Sequence, residues 1–266
     1  MIRTGLKLWS ANARHLPAAR KLYADGWFDY IELFTAIGSF DSTINDWREL
    51  GIPLGLHAPH LYGGFHIAGT GTTDNQAMRI FHEVDRFREA LSPEYVVFHA
   101  AESGTIPVLL RRIELLSQHF PCLHEFVLIE NLPRLGLKNE PCEGASPKEM
   151  RSILEKTGLR LCLDFGHAIS YAAYEKLDGM RVIDELIALD PPVFHLSDGH
   201  TALAYDEHLN LGDGNYPLAE CLRRVPNGKS LTLETKKKSE EELDDFVEDV
   251  RRVREMLKQN TKEKRP

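Results

Sequence analysis

The 266-residue chain has no uninterrupted apolar run near the roughly 18 residues that a membrane-spanning helix needs. Its opening residues, MIRTGLK, lack the apolar core and small-residue cleavage site of a secretory signal. A soluble, cytoplasmic protein with no membrane partner is the expectation. Cysteine is scarce: Cys122, Cys142, Cys162 and Cys221 form no C-x-x-C pair, so neither a disulfide framework nor a zinc ribbon is indicated. Basic charge is also in deficit. With 32 Lys and Arg against 40 Asp and Glu, the formal charge of -8 argues against a broad basic surface that would coat nucleic acid phosphates without selectivity. No low-complexity tract and no interdomain linker interrupt the chain, and nothing points to an obligate protein partner.

What is present is a regular rhythm. Eight strand-like runs, none broken by proline, fall at residues 5–10, 30–35, 54–57, 95–100, 126–131, 159–164, 193–197 and 230–235. Most are nearly continuous apolar segments, as strands buried on both faces of a parallel sheet should be. Helical spacing of apolar residues predicts helices over 14–25, 77–91, 107–119, 147–156, 180–189 and 239–257. Ser146 before Pro147, with Glu149 at the third helical position, reads as a capping box, and Ser239 with Glu242 reads as the same device opening the last helix. Eight βαβ-like units in a chain of this length predict one (β/α)8 barrel over residues 1–258, followed by a polar tail at 259–266. A doubly wound open sheet is the alternative architecture.

The histidines and carboxylates are placed unevenly. His57 ends the third run, His99 and Glu130 lie near the ends of the fourth and fifth, and Asp164 ends the sixth with His167 three residues on. His195 is in the seventh, Glu234 is near the end of the eighth, and Asp206 and His208 lie between those two. In a (β/α)8 barrel the C-terminal strand ends converge on one mouth, so these nine residues would meet. Imidazole and carboxylate together suit zinc first, with manganese or iron as alternatives. Nine donors are too many for one ion with an open position and divide naturally among two or three. Any one such histidine is more often a packing residue; the coincidence of nine carries the inference. Glu130 and Glu234, inside apolar runs, are costly to bury unless paired or metal-bound, and no Lys or Arg is expected opposite them on a neighbouring run. His15, His82, His119 and His124 fall in helices or linkers and are read as surface or packing residues.

The set resembles the endonuclease IV family of apurinic/apyrimidinic endonucleases within the xylose-isomerase-like barrels. The likeness runs from about Tyr30 to Glu234. It is carried by Asp-x-His-x-Asn-x-Gly-Asp-Gly from Asp206 to Gly214, and by Leu163-Asp164-Phe165-Gly166-His167-Ala168, Val97-Phe98-His99 and Leu56-His57-Ala58-Pro59. The resemblance implies three metal sites: His57, His99 and Glu130; Glu130 as a bridge to Asp164, His195 and Glu234; and His167, Asp206 and His208. It further implies DNA repair by phosphodiester hydrolysis at abasic sites, with Glu130 and Glu234 as catalytic residues. Three divalent ions would leave a net charge of about -2 and place positive charge in the cleft.

Departures fall in the loops. They include His60-Leu61-Tyr62 and Gly63-Gly64-Phe65-His66 after the third run, Leu132-Pro133-Arg134-Leu135-Gly136 where the family has a small Ala-Gly-Gln-Gly turn, and a loop at 35–41 without a basic residue. Arg134, Lys138 and Lys236-Lys237-Lys238 are the candidates for phosphate contact, although a lysine run at a barrel rim is more often a solvated face. The competing function is a sugar or sugar-phosphate isomerase or epimerase of the same superfamily. It would need one ion, held by Glu130, Asp164, His195 and Glu234, and would act on a small sugar. The segment Phe28-Asp29-Tyr30-Ile31-Glu32-Leu33 also looks like the second strand of those enzymes.

Overall fold

The computed structural model describes residues 1–60, 66–69, 71–120, 122–136 and 138–263. Eight parallel strands close into a barrel: β1 (Arg3–Trp9), β2 (Tyr30–Phe34), β3 (Leu54–His57), β4 (Val96–His99), β6 (Val127–Glu130), β8 (Arg160–Asp164), β9 (Val193–Leu196) and β10 (Ser230–Leu233). Each pairs with its sequence neighbours, and β1 closes the ring against β10. Two short strands, β5 (Ala101–Glu102) and β7 (Cys142–Glu143), pair antiparallel above the mouth. Seven of the eight expected runs contain a barrel strand, equal to the run or shorter by one or two residues, whereas β1 starts two residues before its run, at Arg3. Among the described residues no helix is long and apolar enough to cross a membrane.

Around the ring lie α1 (Leu16–Ala24), α2 (Phe40–Arg48), α3 (Asp74–Leu91), α4 (Ile106–His119), α5 (Leu123–Phe126), α6 (Pro147–Thr157), α7 (Phe165–Glu175), α8 (Gly179–Ile187), α9 (Leu218–Arg224) and α10 (Asp244–Glu263). The capping box at Ser146 is present, with Glu149 N–H donating to Ser146 Oγ and the Glu149 carboxylate accepting from Ser146 N–H. The last helix departs from expectation at both ends. Ser239 Oγ does accept from the Glu241 and Glu242 N–H groups, but it caps an isolated turn, and α10 begins at Asp244. At the other end the helix continues to Glu263, past the 258 boundary.

Alternate strand residues point into the ring, and their sizes decide its shape. Gly5 and Gly55 leave room that Tyr30 and Tyr95 fill: a Cβ at either glycine would fall 2.3 and 2.4 Å from the facing tyrosine Cζ. Tyr30 and Thr232 share a hydroxyl hydrogen bond of 2.8 Å, and Tyr95 donates at 2.8 Å to Glu32. With Val97, Leu128, Cys162 and Val193 these rings form a solid floor. The outward strand residues, such as Leu6, Ile31, Leu56, Ile129 and Phe194, pack under Trp47, Phe87, Phe165 and Phe246 of the helices and are fully buried.

Candidate metal centre

Strand register sets the donors level with one another. His99 on β4 lies opposite Glu130 on β6, and Asp164 on β8 lies opposite His195 on β9. Glu130 is fully buried, and its two oxygens face different partners. Oε2 lies 3.0 Å from His57 Nε2 and 3.5 Å from His99 Nε2. Oε1 lies 3.4 Å from His195 Nδ1 and 3.2 Å from His167 Nδ1, without a hydrogen bond. His57 Nδ1 is 2.8 Å from the Ala58 carbonyl, an acceptor that fixes the tautomer and leaves Nε2 as a lone-pair donor toward the centre.

His57, His99 and Glu130 bring ligand atoms within 4.8 Å of one another, and so do His167, Asp206 and His208. Local sequence explains the second cluster. Asp164 caps α7 by accepting from His167 N–H at 2.6 Å, which turns His167 back over the mouth. Asn131 exchanges two hydrogen bonds with the Asp164 backbone, and its own carbonyl meets His167 Nδ1 at 2.8 Å. Gly166 is required because a Cβ there would lie 2.7 Å from Asp206 Oδ2. His208 stands 3.3 Å from Asp206 and 3.4 Å from Glu234, in the left-handed region at φ 49°. A histidine held in that region is strained, and a ligand role is a reason to hold it there.

Glu234 closes the central group, with its Oε1 3.3 Å from His195 Nδ1. It also corrects the expectation that no cation faces it. Lys7, pointing inward from β1, donates to Glu234 and, at 2.6 Å, to Glu32. Burial alone would depress the Lys7 ammonium, but Glu234 and Glu32 outweigh it and hold the group charged. Glu32 was not anticipated as a member of the site. It lies one layer down and accepts from Tyr95, Thr232, Lys7 and His195 Nε2, the last at 3.0 Å. Burial pushes Glu32 up, yet His195 and Lys7 bring it down to about 2. The carboxylate thus orients the ring that presents Nδ1 to the centre. Glu32→Gln is expected to weaken metal binding about 10- to 100-fold, the usual effect of losing such a support. Competition with a chromophoric chelator measures it, and unchanged affinity would assign Glu32 to the floor alone.

Charge balance supports metal occupancy. Glu32, Glu130, Asp164, Asp206 and Glu234 are buried or nearly so around one ammonium. Burial, reinforced by Asp206, Glu130 and Glu234 against the pull of His167, pushes Asp164 up to about 6. Burial opposes charge on His208, but Asp206 and Glu234 raise it to about 9, and His167 and His195 are raised in the same sense. Without metal, protons on imidazoles supply the countercharge. Asp164 Oδ2, Asp206 Oδ2, Glu130 Oε1 and His195 Nδ1 are buried with no hydrogen bond, which divalent ions held by this N/O set would remedy.

Other residues escaped the sequence reading. Asp198, fully buried after β9, accepts from the N–H groups of Gly199, Gly212, Gly214 and Tyr216 at 2.7–3.1 Å, folding the Asp206–Gly214 motif over the mouth. Gly212 takes φ 90°, and a Cβ on Gly214 would sit 2.3 Å from the Gly199 carbonyl. Beside the mouth lies a cleft of about 560 Å³, lined by Lys7, Trp9, His15, Phe34, His208 and Glu234 among others. His15, expected at the surface or in packing, is buried and lines this cleft. Trp9 is 47% exposed and lies 4.4 Å from Phe34, ring to ring. Of the candidate phosphate contacts, Arg134 is engaged by Glu149 and Glu175, Lys237 donates to the Thr235 carbonyl, and Lys238 pairs with Asp245. Lys236 is exposed and lines the cleft. In the departing loop after β3, residues 61–65 lie outside the described residues.

Fold and site together define a (β/α)8 barrel with clusters of histidine and carboxylate side chains, of a kind that could hold metal ions, at the C-terminal ends of its strands. Residues 21–258 match the model of the xylose isomerase-like TIM barrel family, and the chain belongs to that family, whose members are enzymes that typically bind divalent metals. No curated protein matches it. Among solved structures it is similar to a D-tagatose 3-epimerase-like protein, at 18% identity over 98% of this chain and 99% of that one, with a TM-score of 0.71. It is also similar to endonuclease IV from Thermus thermophilus, at 18% identity over 97% and 99%, TM-score 0.68. A further Thermus thermophilus protein, soaked with zinc chloride, shares 19% identity over 97% and 99%, TM-score 0.70. At such identities the likeness concerns the fold.

Proposed function

We propose that the chain is a metal-dependent phosphodiester hydrolase, working with two or three divalent ions, zinc first among them, on DNA at abasic sites. The observation that carries the reading is Glu130: its oxygens are divided between the His57 and His99 pair and the His195 and His167 pair, the posture of a bridging carboxylate. His57 and His99 would hold one ion with Glu130, and Asp164, His195 and Glu234 a second. His167, Asp206 and His208 would hold a third. A one-ion isomerase has no use for the two flanking groups. Bound divalent ions at such a site acidify water and neutralise charge on phosphoryl oxygens. The chain's own residues do the rest. Lys236, exposed at the rim, offers positive charge to an anionic substrate in the cleft, Lys7 holds Glu234 in place, and Trp9 offers a face for stacking a sugar or base.

A second reading is favoured by the cleft itself. Its volume of about 560 Å³ suits one small molecule, and Arg134 is already engaged by carboxylates. Under that reading Glu130, Asp164, His195 and Glu234 hold one ion for isomerisation or epimerisation of a sugar or sugar phosphate. Two measurements separate them. Purified protein is expected to carry more than one equivalent of zinc, manganese or iron and to nick an oligonucleotide at an abasic site. One equivalent or less, with interconversion of a ketose and no nicking, moves the assignment to the isomerases.

A further inference from the structure

A second cluster of ligand-type side chains stands beside the centre, outside the nine. Glu102 on β5 turns Oε2 toward three imidazole nitrogens: His99 Nδ1 at 3.0 Å, His66 Nδ1 at 3.3 Å and His60 Nδ1 at 3.8 Å. His60, His99 and Glu102 place ligand atoms within 4.8 Å of one another. His60 and His99 stack at 4.2 Å, and Phe34 meets the His60 ring edge-on at 5.2 Å. The four side chains line a small cavity of about 10 Å³ together with Pro59, Ile67 and Phe98.

We propose that this is a further metal site, taking one zinc-type divalent ion through Glu102, His60, His66 and His99 Nδ1. The distances fit it. Four donors about 2.0–2.1 Å from a tetrahedral ion are separated by about 3.3 Å, the scale of the three measured gaps. The cavity has room for about one water-sized particle and no more. Hydrogen bonding alone accounts for the cluster poorly. A carboxylate oxygen has two lone pairs, yet three imidazole nitrogens face this one, and both nitrogens of His66 are buried without a hydrogen bond. Leaving such groups unsatisfied is costly.

The backbone holds the donors in place. Glu102 pairs with Cys142 across the small β5–β7 sheet, and Ser103, next to it, takes the left-handed region at φ 47°. Gly69 bridges Gly104, where a Cβ would lie 1.9 Å from the Ala68 carbonyl, so the segment carrying His66 is docked against the residues that follow Glu102. With four protein donors the site is closed, which marks it as structural, in contrast to the open centre beside it. His99 belongs to both, with Nδ1 toward Glu102 and Nε2 toward Glu130. Coordination through both nitrogens removes the ring's remaining N–H proton to solvent and leaves an imidazolate between two ions.

The inference is independent of the reaction assigned to the centre, and metal counting tests it. Full-length protein is stripped, reloaded with zinc, and analysed by mass spectrometry beside His66→Ala and Glu102→Gln. Each variant is expected to hold one equivalent less than the parent, while His208→Ala loses its equivalent from the other side of Glu130. Crystals of the parent measured at the zinc edge are expected to show an anomalous peak about 2.0–2.3 Å from a Glu102 oxygen. Equal zinc in parent and both variants, or no such peak, overturns the proposal. If the variants fail to fold by circular dichroism, the peak in the parent decides. A protein that leaves abasic DNA intact yet loses one zinc in His66→Ala would refute the hydrolase reading and keep this one.

Discussion

Glu130→Gln is expected to lower turnover by at least about 10²-fold, the scale on which losing one preorganised electrostatic group acts, and to leave the protein with fewer ions. The amide is the same size as the carboxylate but has one acceptor oxygen and one NH2 group. Both sides lose the negative charge, and whichever way the amide turns, either the side facing His57 and His99 or the side facing His167 and His195 also loses its oxygen donor. A shared ligand cannot then serve two ions. The fold should survive, and the metal-free variant should be at least as stable as the parent, because a buried charge among neighbouring carboxylates has been removed. Metal analysis, kinetics and calorimetry report the three effects separately. Full metal retention together with full activity would show that Glu130 does not bridge.

Asp198→Ala attacks the site through its scaffold and should have the largest effect on stability. Four backbone N–H groups, from Gly199, Gly212, Gly214 and Tyr216, lose their acceptor at once. Each buried orphan costs about 1–3 kcal/mol, and since the loop will relax toward water the expected total is about 3 kcal/mol. For a domain of this size that corresponds to a fall in Tm of about 6–12 °C. The motif that carries Asp206 and His208 then loses its anchor on this side, although Asp249 still accepts from Asn210 and Leu211. One ion, the one assigned to His167, Asp206 and His208, should be lost with it. Calorimetry of the metal-free protein isolates the scaffold effect; an unchanged Tm would mean that Asp198 does not hold the loop.

The strands were legible because a parallel barrel buries both faces of each one, so the code is plain apolar content. The helices were legible only where they are amphipathic. In α7 the eight residues from Phe165 to Ala172 are all buried, which erases the helical period, and the helix went unanticipated. The polar α2 and the short α5 and α9 were missed for want of a sustained stripe. The nine expected donors come from the strand ends, the first turn of α7 and the 206–214 loop. Asp164, at the end of β8, approaches the His167 ring at 3.8 Å and caps its N–H at 2.6 Å. What the sequence hid was inward pairing around the ring. Lys7 meets Glu234 across 227 residues because β1 closes against β10, and no local pattern reports which strands are first and last neighbours. Glu102 was hidden in another way, since a two-residue strand has no pattern to read.

The tyrosine floor sets the order of events at the mouth. Tyr30 and Tyr95, lying across Gly5 and Gly55, close the barrel below the site, so that among the described residues the mouth is its opening. Under the proposed metal-dependent reading, ions and substrate would share that opening. The ions would then be loaded before the substrate arrives, and a bound substrate or product would lie across their way out. Retention of metal during turnover would then owe as much to the occupant of the mouth as to the ligands beneath it.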